Sequence, residues 1–272
     1  MKVRQAVVFP GQGSGGGEGS GEVQEAVRAC VGSSETPYQL SVFASSVDLF
    51  YELRDAGVEP DVVAGHSLGE YAAAHAAGSL RLQDAVRLVA ERDRLMNEAA
   101  AENPGGMVAL IGADPTQVVR AAEAAEGIVV AANFNTPRQT VISGEEGALD
   151  AVGERLGGRK VRLGVAGAFH SPLMVEASRA MYGNLAEVAI EEPSIPMISA
   201  TDGKILSTAE EVRSALRIQM LSPVRWVAVI ERFIDLGVEE ILEAGTDGTL
   251  TRMLRDFRHH EIEGRTVAEV LP

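Results

Sequence analysis

Residues 65–69 read GHSLG, preceded by the short apolar run DVVAG (61–65) and followed by the alanine-rich stretch EYAAAHAAG. Strand, then G-x-S-x-G, then helix is the signature of a nucleophile elbow. Glycines at 65 and 69 suit a turn so sharp that side chains there would collide with neighbouring backbone. Such a serine stands at a helix N-terminus, where free N–H groups and the helix dipole favour developing negative charge. The chemistry this predicts for Ser67 is attack on an acyl carbonyl, with an ester on its oxygen as the intermediate.

A serine nucleophile needs a base within hydrogen-bond reach, and the chain has five histidines. His66 adjoins Ser67, so its ring is expected to point away from the serine oxygen. His75 is eight residues further along the same helix, about 12 Å away at 1.5 Å rise per residue. His259 and His260 fall in a charged stretch and read as solvated. His170 remains, in AGAFHSP (166–172), after an apolar strand pattern and just before a helix-start signal. No acid takes the usual place of a triad between Ser67 and His170: Asp114, Glu145, Glu146 and Asp150 fall in a segment assigned below to an inserted unit. Asp202 and Asp247 follow His170 and stay open. The expectation is a Ser–His dyad whose histidine is oriented by a main-chain carbonyl or an amide. The turn FPGQGS (9–14) ends the first apolar strand, so its N–H groups are candidates to face the elbow together with the N–H of Leu68.

These residues need elements to hold them. VRQAVVFP (3–10), DVVAG (61–65), IPMISA (195–200) and EEILEAG (239–245) read as buried strands. Helices are predicted over 38–55, 69–77, 82–100, 172–188, 208–220, 223–236 and 247–258. Between them the texture changes: strand GMVALIG, helix 114–126, strands GIVVAANF and QTVISG, helix 145–157, strand RKVRLGV. That order, β-α-β-β-α-β, is the ferredoxin-like pattern. The fold class is therefore α/β, with a large catalytic domain formed by residues 1–105 and 166–272 and a small subdomain inserted at 106–165. The run GSGGGEGSGE (13–22) reads as a flexible loop.

Composition narrows the function. The 272 residues carry 24 Lys+Arg against 39 Asp+Glu, a net charge of −15. So acidic a surface argues against non-specific nucleic-acid binding. One cysteine, Cys30, permits no intrachain disulfide and fits a reducing, cytoplasmic setting. The apolar run in MKVRQAVVFPGQGS is too short for a signal peptide, and no stretch approaches a membrane span. No P-loop or dinucleotide fingerprint is present, and no metal or bound redox cofactor is expected. TRMLRDFRHH (251–260) sets Arg252, Arg255 and Arg258 at three-residue spacing, either a basic patch for an acidic partner or a solvated helix face.

Taken together, VVFPGQGS, VVAGHSLGEYAAAHAAGSL, DAVRLVAERDRLMNEA, NFNTPRQTVISG, AFHSPLM and IQMLSPVRWVAVIERFIDLGVEEILEAG resemble malonyl-CoA:acyl-carrier-protein transacylases and the acyltransferase domains of polyketide synthases. They occur in the family's order and span nearly the whole chain. The resemblance implies an α/β-hydrolase-like large domain with a ferredoxin-like insert. It implies Ser67 as the acylated nucleophile, His170 as its base, and Gln12 with Leu68 as the oxyanion hole. It implies Arg92, rather than the nearby Arg94, as ligand of the substrate carboxylate, Gln219 as the residue orienting His170, and Asn135 near the pocket. A guanidinium can hold a carboxylate through two parallel bonds.

GAFH (167–170) resembles the malonyl-type signature, in which Phe169 would crowd an α-methyl branch, and Leu68 after the serine points the same way. Malonyl-CoA is then a substrate, an acyl carrier protein the partner, and the chain a monomer in fatty-acid or polyketide synthesis. Rival readings are a hydrolase that clears acyl groups from carriers, a transferase for another acyl or aminoacyl unit, and a non-catalytic carrier-docking subunit. Two stretches depart from the family: the segment between GQGS and residue 38 is short and glycine-rich, and GTDG (245–248) stands where the family has GPG.

Overall fold

The computed structural model describes residues 4–257 and 262–271. Its central sheet is built from β1 (Gln5–Phe9), β2 (Val62–Gly65), β7 (Met197–Ile198), β8 (Ile205–Leu206), β9 (Glu240–Glu243) and β10 (Glu263–Thr266). The strand order is β10-β9-β1-β2-β7-β8, parallel throughout except for the last pair. A parallel sheet must be covered on both faces, and the alternation in β1 shows how. Val7 and Phe9 enter a core formed with α1 (Gly21–Val31), α2 (Tyr38–Asp55), α3 (Gly69–Ala76), α4 (Leu82–Glu102), α7 (Val175–Glu187) and α8 (Ala209–Ile218). Ala6 and Val8 enter a second core on the opposite face, with α9 (Trp226–Leu236) and α10 (Thr249–Met253).

Inserted after α4 is a four-stranded antiparallel sheet with two helices, running β3 (Gly106–Ile111), α5 (Pro115–Glu123), β4 (Val129–Thr136), β5 (Gln139–Gly144), α6 (Glu146–Arg155) and β6 (Arg159–Arg162). Its order, β4-β5-β3-β6, is that of a ferredoxin-like unit. One face, with Val108 and Leu110, packs on α5 and α6, while Met107 and Ala109 turn to the main core. The two units are stitched by main-chain bonds: Phe134 N–H donates to Val224 O at 2.7 Å, and Val224 N–H to Ala132 O at 2.8 Å. An α/β fold is thus observed.

Several elements differ from the expectations above. The stretch read as loop over 13–22 gives way at Gly21 to α1, which buries Val23, Ala26 and Val27 on one stripe. The preceding glycines hide this start, because nothing before Ser20 has helical periodicity. The predicted helix 247–258 is split into α10 and a 3₁₀ turn, Leu254–Asp256. The strands β8 and β10 and the short α11 (Val267–Val270) were not anticipated. Edge strands of two to four residues, β10 reading EGRT, carry too little alternation to be recognised.

Candidate active site

The first strand and the elbow interlock through their backbones. His66 N–H donates to Phe9 O at 2.9 Å. A Cβ on Gly69 would lie 2.1 Å from Phe9 O, and one on Gly65 would lie 2.0 Å from the carbonyl carbon of Gly69. Neither position admits a side chain. At the tip Ser67 has φ 53°, and His170 has φ 59°. They are the only non-glycine residues with positive φ among the described residues, and backbone held in this region collects at functional sites.

Ser67 Oγ is 2.8 Å from His170 Nε2. His170 Nδ1 faces two main-chain carbonyls, Gln219 O at 2.9 Å and Ser222 O at 3.1 Å. Carbonyls only accept, so Nδ1 carries the proton and Nε2 is the free acceptor aimed at the serine hydroxyl. No carboxylate touches the ring among the described residues. The histidine is 5 % exposed. Burial, and after it the charge of Arg92, pushes its pKa down to about 3.

Arg92 is fully buried. Its Nη2 donates to Ser67 Oγ at 3.0 Å and to Gln219 Oε1 at 3.3 Å, while Nη1 donates to Gln39 Oε1. Its Nε has no partner, and burial lowers its pKa. Arg94 is its opposite, half exposed and paired with Glu91 and Glu98 on the outer face of α4. Side by side on one helix, only Arg92 reaches the serine.

Gln12 lies in the turn after β1, and neither its N–H nor its side-chain amide is engaged among the described residues. The N–H of Leu68, at the start of α3, is likewise unspent. Gly11 packs so closely on the elbow that a Cβ there would lie 2.8 Å from His66 O. Both donors therefore belong to segments in contact around Ser67. His66 turns away from the serine: its Nε2 is 2.9 Å from Asn135 Oδ1, and Asn135 Nδ2 donates to Gln139 Oε1 at 2.7 Å.

Gln12, His66 and Asn135 line a cleft of about 790 Å³ between the two sheets, with Ile111, Val141 and Leu163 on its small-sheet side. Phe169 is buried in the main core and does not line this cleft. Arg252 lines it, and its guanidinium is bound to Asp247 O and Thr249 Oγ1. Arg255 borders a neighbouring groove, while Arg258, His259 and His260 lie outside the described residues. Asp247 is committed to Gly15 N–H at 2.7 Å, and Asp202 pairs with Lys204. Neither completes a triad.

Two members of this cluster were not singled out from sequence. Gln39, on the first turn of α2, is 1 % exposed and holds Nη1 of Arg92. Glu70, directly after the elbow, is 1 % exposed and holds the amide of Gln219. Among the described residues no group of His, Cys, Asp or Glu could hold a metal ion, and no helix is long and apolar enough to cross a membrane.

The family described as "Acyl transferase domain" matches residues 32–272. A malonyl CoA-acyl carrier protein transacylase of Salmonella typhimurium is 38 % identical over 208 residues, 74 % of this chain and 67 % of that protein. The polyketide biosynthesis protein ThaF of Burkholderia thailandensis is 41 % identical over 207 residues, 74 % of this chain and 17 % of that protein. Among solved structures, the malonyl-CoA:ACP transacylase of Synechocystis superposes with TM-score 0.88 at 28 % identity, over 97 % of both chains. A malonyl-transacylase in complex with its type II PKS acyl-carrier protein gives 0.89 at 30 % identity, over 97 % of this chain and 95 % of that one. With a family match over residues 32–272 and a relative 38 % identical over most of both chains, the chain belongs to the acyl transferase domain family.

Proposed function

We propose that this chain transfers a malonyl group from CoA to the phosphopantetheine thiol of an acyl carrier protein, with Ser67 carrying the group between the two. His170 Nε2 takes the Ser67 proton as Oγ attacks the thioester carbonyl. The oxyanion is met by the Leu68 N–H and by Gln12. As the tetrahedral intermediate collapses, the C–S bond breaks and the CoA sulfur receives the proton from His170. In the second half the carrier thiol gives its proton to His170 Nε2 and attacks the serine ester, and Ser67 leaves as the alcohol.

The observation that carries this reading is the contact of Arg92 with the nucleophile: a buried guanidinium 3.0 Å from Ser67 Oγ. A hydrolase or a transferase of neutral acyl groups has no use for such a cation. An acyl group ending in a carboxylate does, because a charge-assisted pair inside a buried site is strong and directional. The cleft beside Gln12 and Asn135 reaches the elbow at His66, though Ser67, His170 and Arg92 do not line it, and we assign it as the approach for the long, narrow pantetheine arm.

The test is intact-protein mass spectrometry after mixing with malonyl-CoA, followed by a chase with holo carrier protein or with water. A malonyl adduct that is absent in Ser67→Ala and is discharged onto the carrier supports the reading. Loss of the adduct to water as fast as to the carrier makes the protein a hydrolase, and labelling by acetyl-CoA without malonyl-CoA removes Arg92 from its role.

A further inference from the structure

Glu70 follows the elbow at once, yet the mechanism above makes no use of it. Both of its oxygens are engaged inside the protein. Oε1 accepts from the N–H of Ala200 at 2.9 Å, just past β7. Oε2 accepts from Nε2 of Gln219 at 3.0 Å, at the end of α8. One carboxyl group thus joins three segments behind the serine. A buried carboxyl is costly unless its oxygens are satisfied, and a plain structural post at this point would not need one. Two donors converge here, so the site asks for two acceptors. A glutamine offers only one acceptor, and its amide nitrogen would oppose a donor.

The consequence reaches Arg92 through Gln219. A side-chain amide has a donating end and an accepting end, and their assignment follows from the partners. Glu70 takes the donating end, so Oε1 is turned toward Arg92 Nη2, 3.3 Å away. With Gln39 Oε1 on Nη1, the fork of Arg92 is fixed by two neutral carbonyl oxygens. No carboxylate lies within ion-pair distance of it among the described residues, so its positive charge stays available to a ligand. Reversing the Gln219 amide would set NH₂ against the guanidinium, donor against donor. The same residue's main-chain carbonyl holds His170 and does not depend on the amide.

We propose that Glu70 is a positioning residue for selection of a carboxylated acyl group: by fixing the amide of Gln219 it sets the fork of Arg92, and it acts on which acyl group is accepted rather than on the chemistry at Ser67. This rests on the reading of Arg92 as the carboxylate ligand. Burial pushes the Glu70 carboxyl up to about 8, opposed by the Ala200 N–H and the charge of Arg92 and reinforced by Asp202. Both neighbours are N–H donors, and it is the ionised carboxylate that accepts from the two at once.

The experiment compares acylation of the wild type, Glu70→Gln and Arg92→Ala by malonyl-CoA and by acetyl-CoA, in single turnovers read by intact mass. In Glu70→Gln the malonyl-to-acetyl preference should fall about tenfold, the size of coupling between members of one hydrogen-bond network. The loss should appear in the malonyl-CoA concentration that half-saturates acylation more than in the maximal acylation rate. In the Arg92→Ala background Glu70→Gln should change the preference no further. If Glu70→Gln does not fold, Gln219→Met removes the same relay from its other end and should lower the preference alike. Equal losses for both acyl groups, or an unaltered preference, overturn the proposal. A wild type that takes no malonyl group at all refutes the proposed function, and this inference with it. A wild type that takes malonyl while Glu70→Gln keeps its preference refutes this inference alone.

Discussion

Arg92 Nη2 donates to the Oγ of Ser67 across 3.0 Å, so the cation that would recognise a carboxylate touches the atom that would carry the acyl group. Hydrogen bonds to charged groups are worth about 1.5–3 kcal/mol, roughly 10- to 100-fold in rate or affinity. Arg92→Ala should therefore reduce malonyl labelling of Ser67 by about that factor while sparing acetyl labelling. Arg92→Lys should restore only part of the loss, because a single ammonium cannot meet Gln39, Gln219 and a carboxylate with a planar fork. Stopped-time mass spectrometry with both acyl-CoAs measures this.

The pH profile follows from the same neighbourhood. An unperturbed histidine is protonated below about 6.5 and ceases to act as a base. His170 is held down to about 3 by burial and next by Arg92, so Nε2 stays unprotonated through the mildly acidic range. Serine acylation should show no histidine inflection between pH 7 and 5. In Arg92→Ala one cause of the depression is gone, and the acid limb should move to higher pH. Stability shifts too: below about 6.5 the unfolded chain binds a proton here that the folded chain does not, so stability declines as pH falls from 6.5 toward 3. Rate profiles and denaturant titrations across this window check both statements.

Gln219 meets His170 through its main chain and Arg92 through its side chain. Those two roles separate on substitution. Gln219→Ala keeps the carbonyl that fixes the imidazole tautomer, so turnover of a neutral activated ester such as p-nitrophenyl acetate should fall by less than about tenfold. Loss of a side chain that orients a catalytic histidine costs about 10⁴-fold in a serine protease triad. A drop of that size in the ester assay would return the orienting role to the Gln219 side chain.

Much of this arrangement was legible in the sequence, for physical reasons that differ from residue to residue. Gly65, Ser67 and Gly69 announce themselves because a strand-to-helix corner this tight accepts no side chain at either glycine. His170 stands out because the other histidines adjoin the serine, sit too far along its helix or fall in a charged stretch, and His66 does turn from the serine toward Asn135. Gln39 and Glu70 gave no signal. A glutamine opening a helix and a glutamate in a first turn are ordinary residues at those positions, where an acid complements the helix dipole. Their near-total burial depends on α4 and α8 crossing over them, which no local pattern encodes. The helix α1 was lost behind its glycine-rich lead.

The elbow's dependence on its glycines can be measured against a control in the same pair of loops. A Cβ at Gly69 would lie 2.1 Å from Phe9 O and 2.8 Å from Pro10 O, both main-chain atoms of the buried first strand and its turn. Those atoms cannot step aside as the end of a flexible side chain would, so Gly69→Ala must push the elbow away from β1. Overpacking of this kind costs about 1–3 kcal/mol or more. It also separates the Leu68 N–H from Gln12, so acylation should fall further than stability. At Gly13 a Cβ would meet nothing within 4 Å, and its φ is not in the left-handed region. Gly13→Ala should change stability by less than about 1 kcal/mol, in either direction, since it mainly trims unfolded-state freedom. Thermal unfolding and malonyl labelling of the two variants decide the matter: equal behaviour would mean that the contact between the elbow and the first strand is not what holds Ser67 in place.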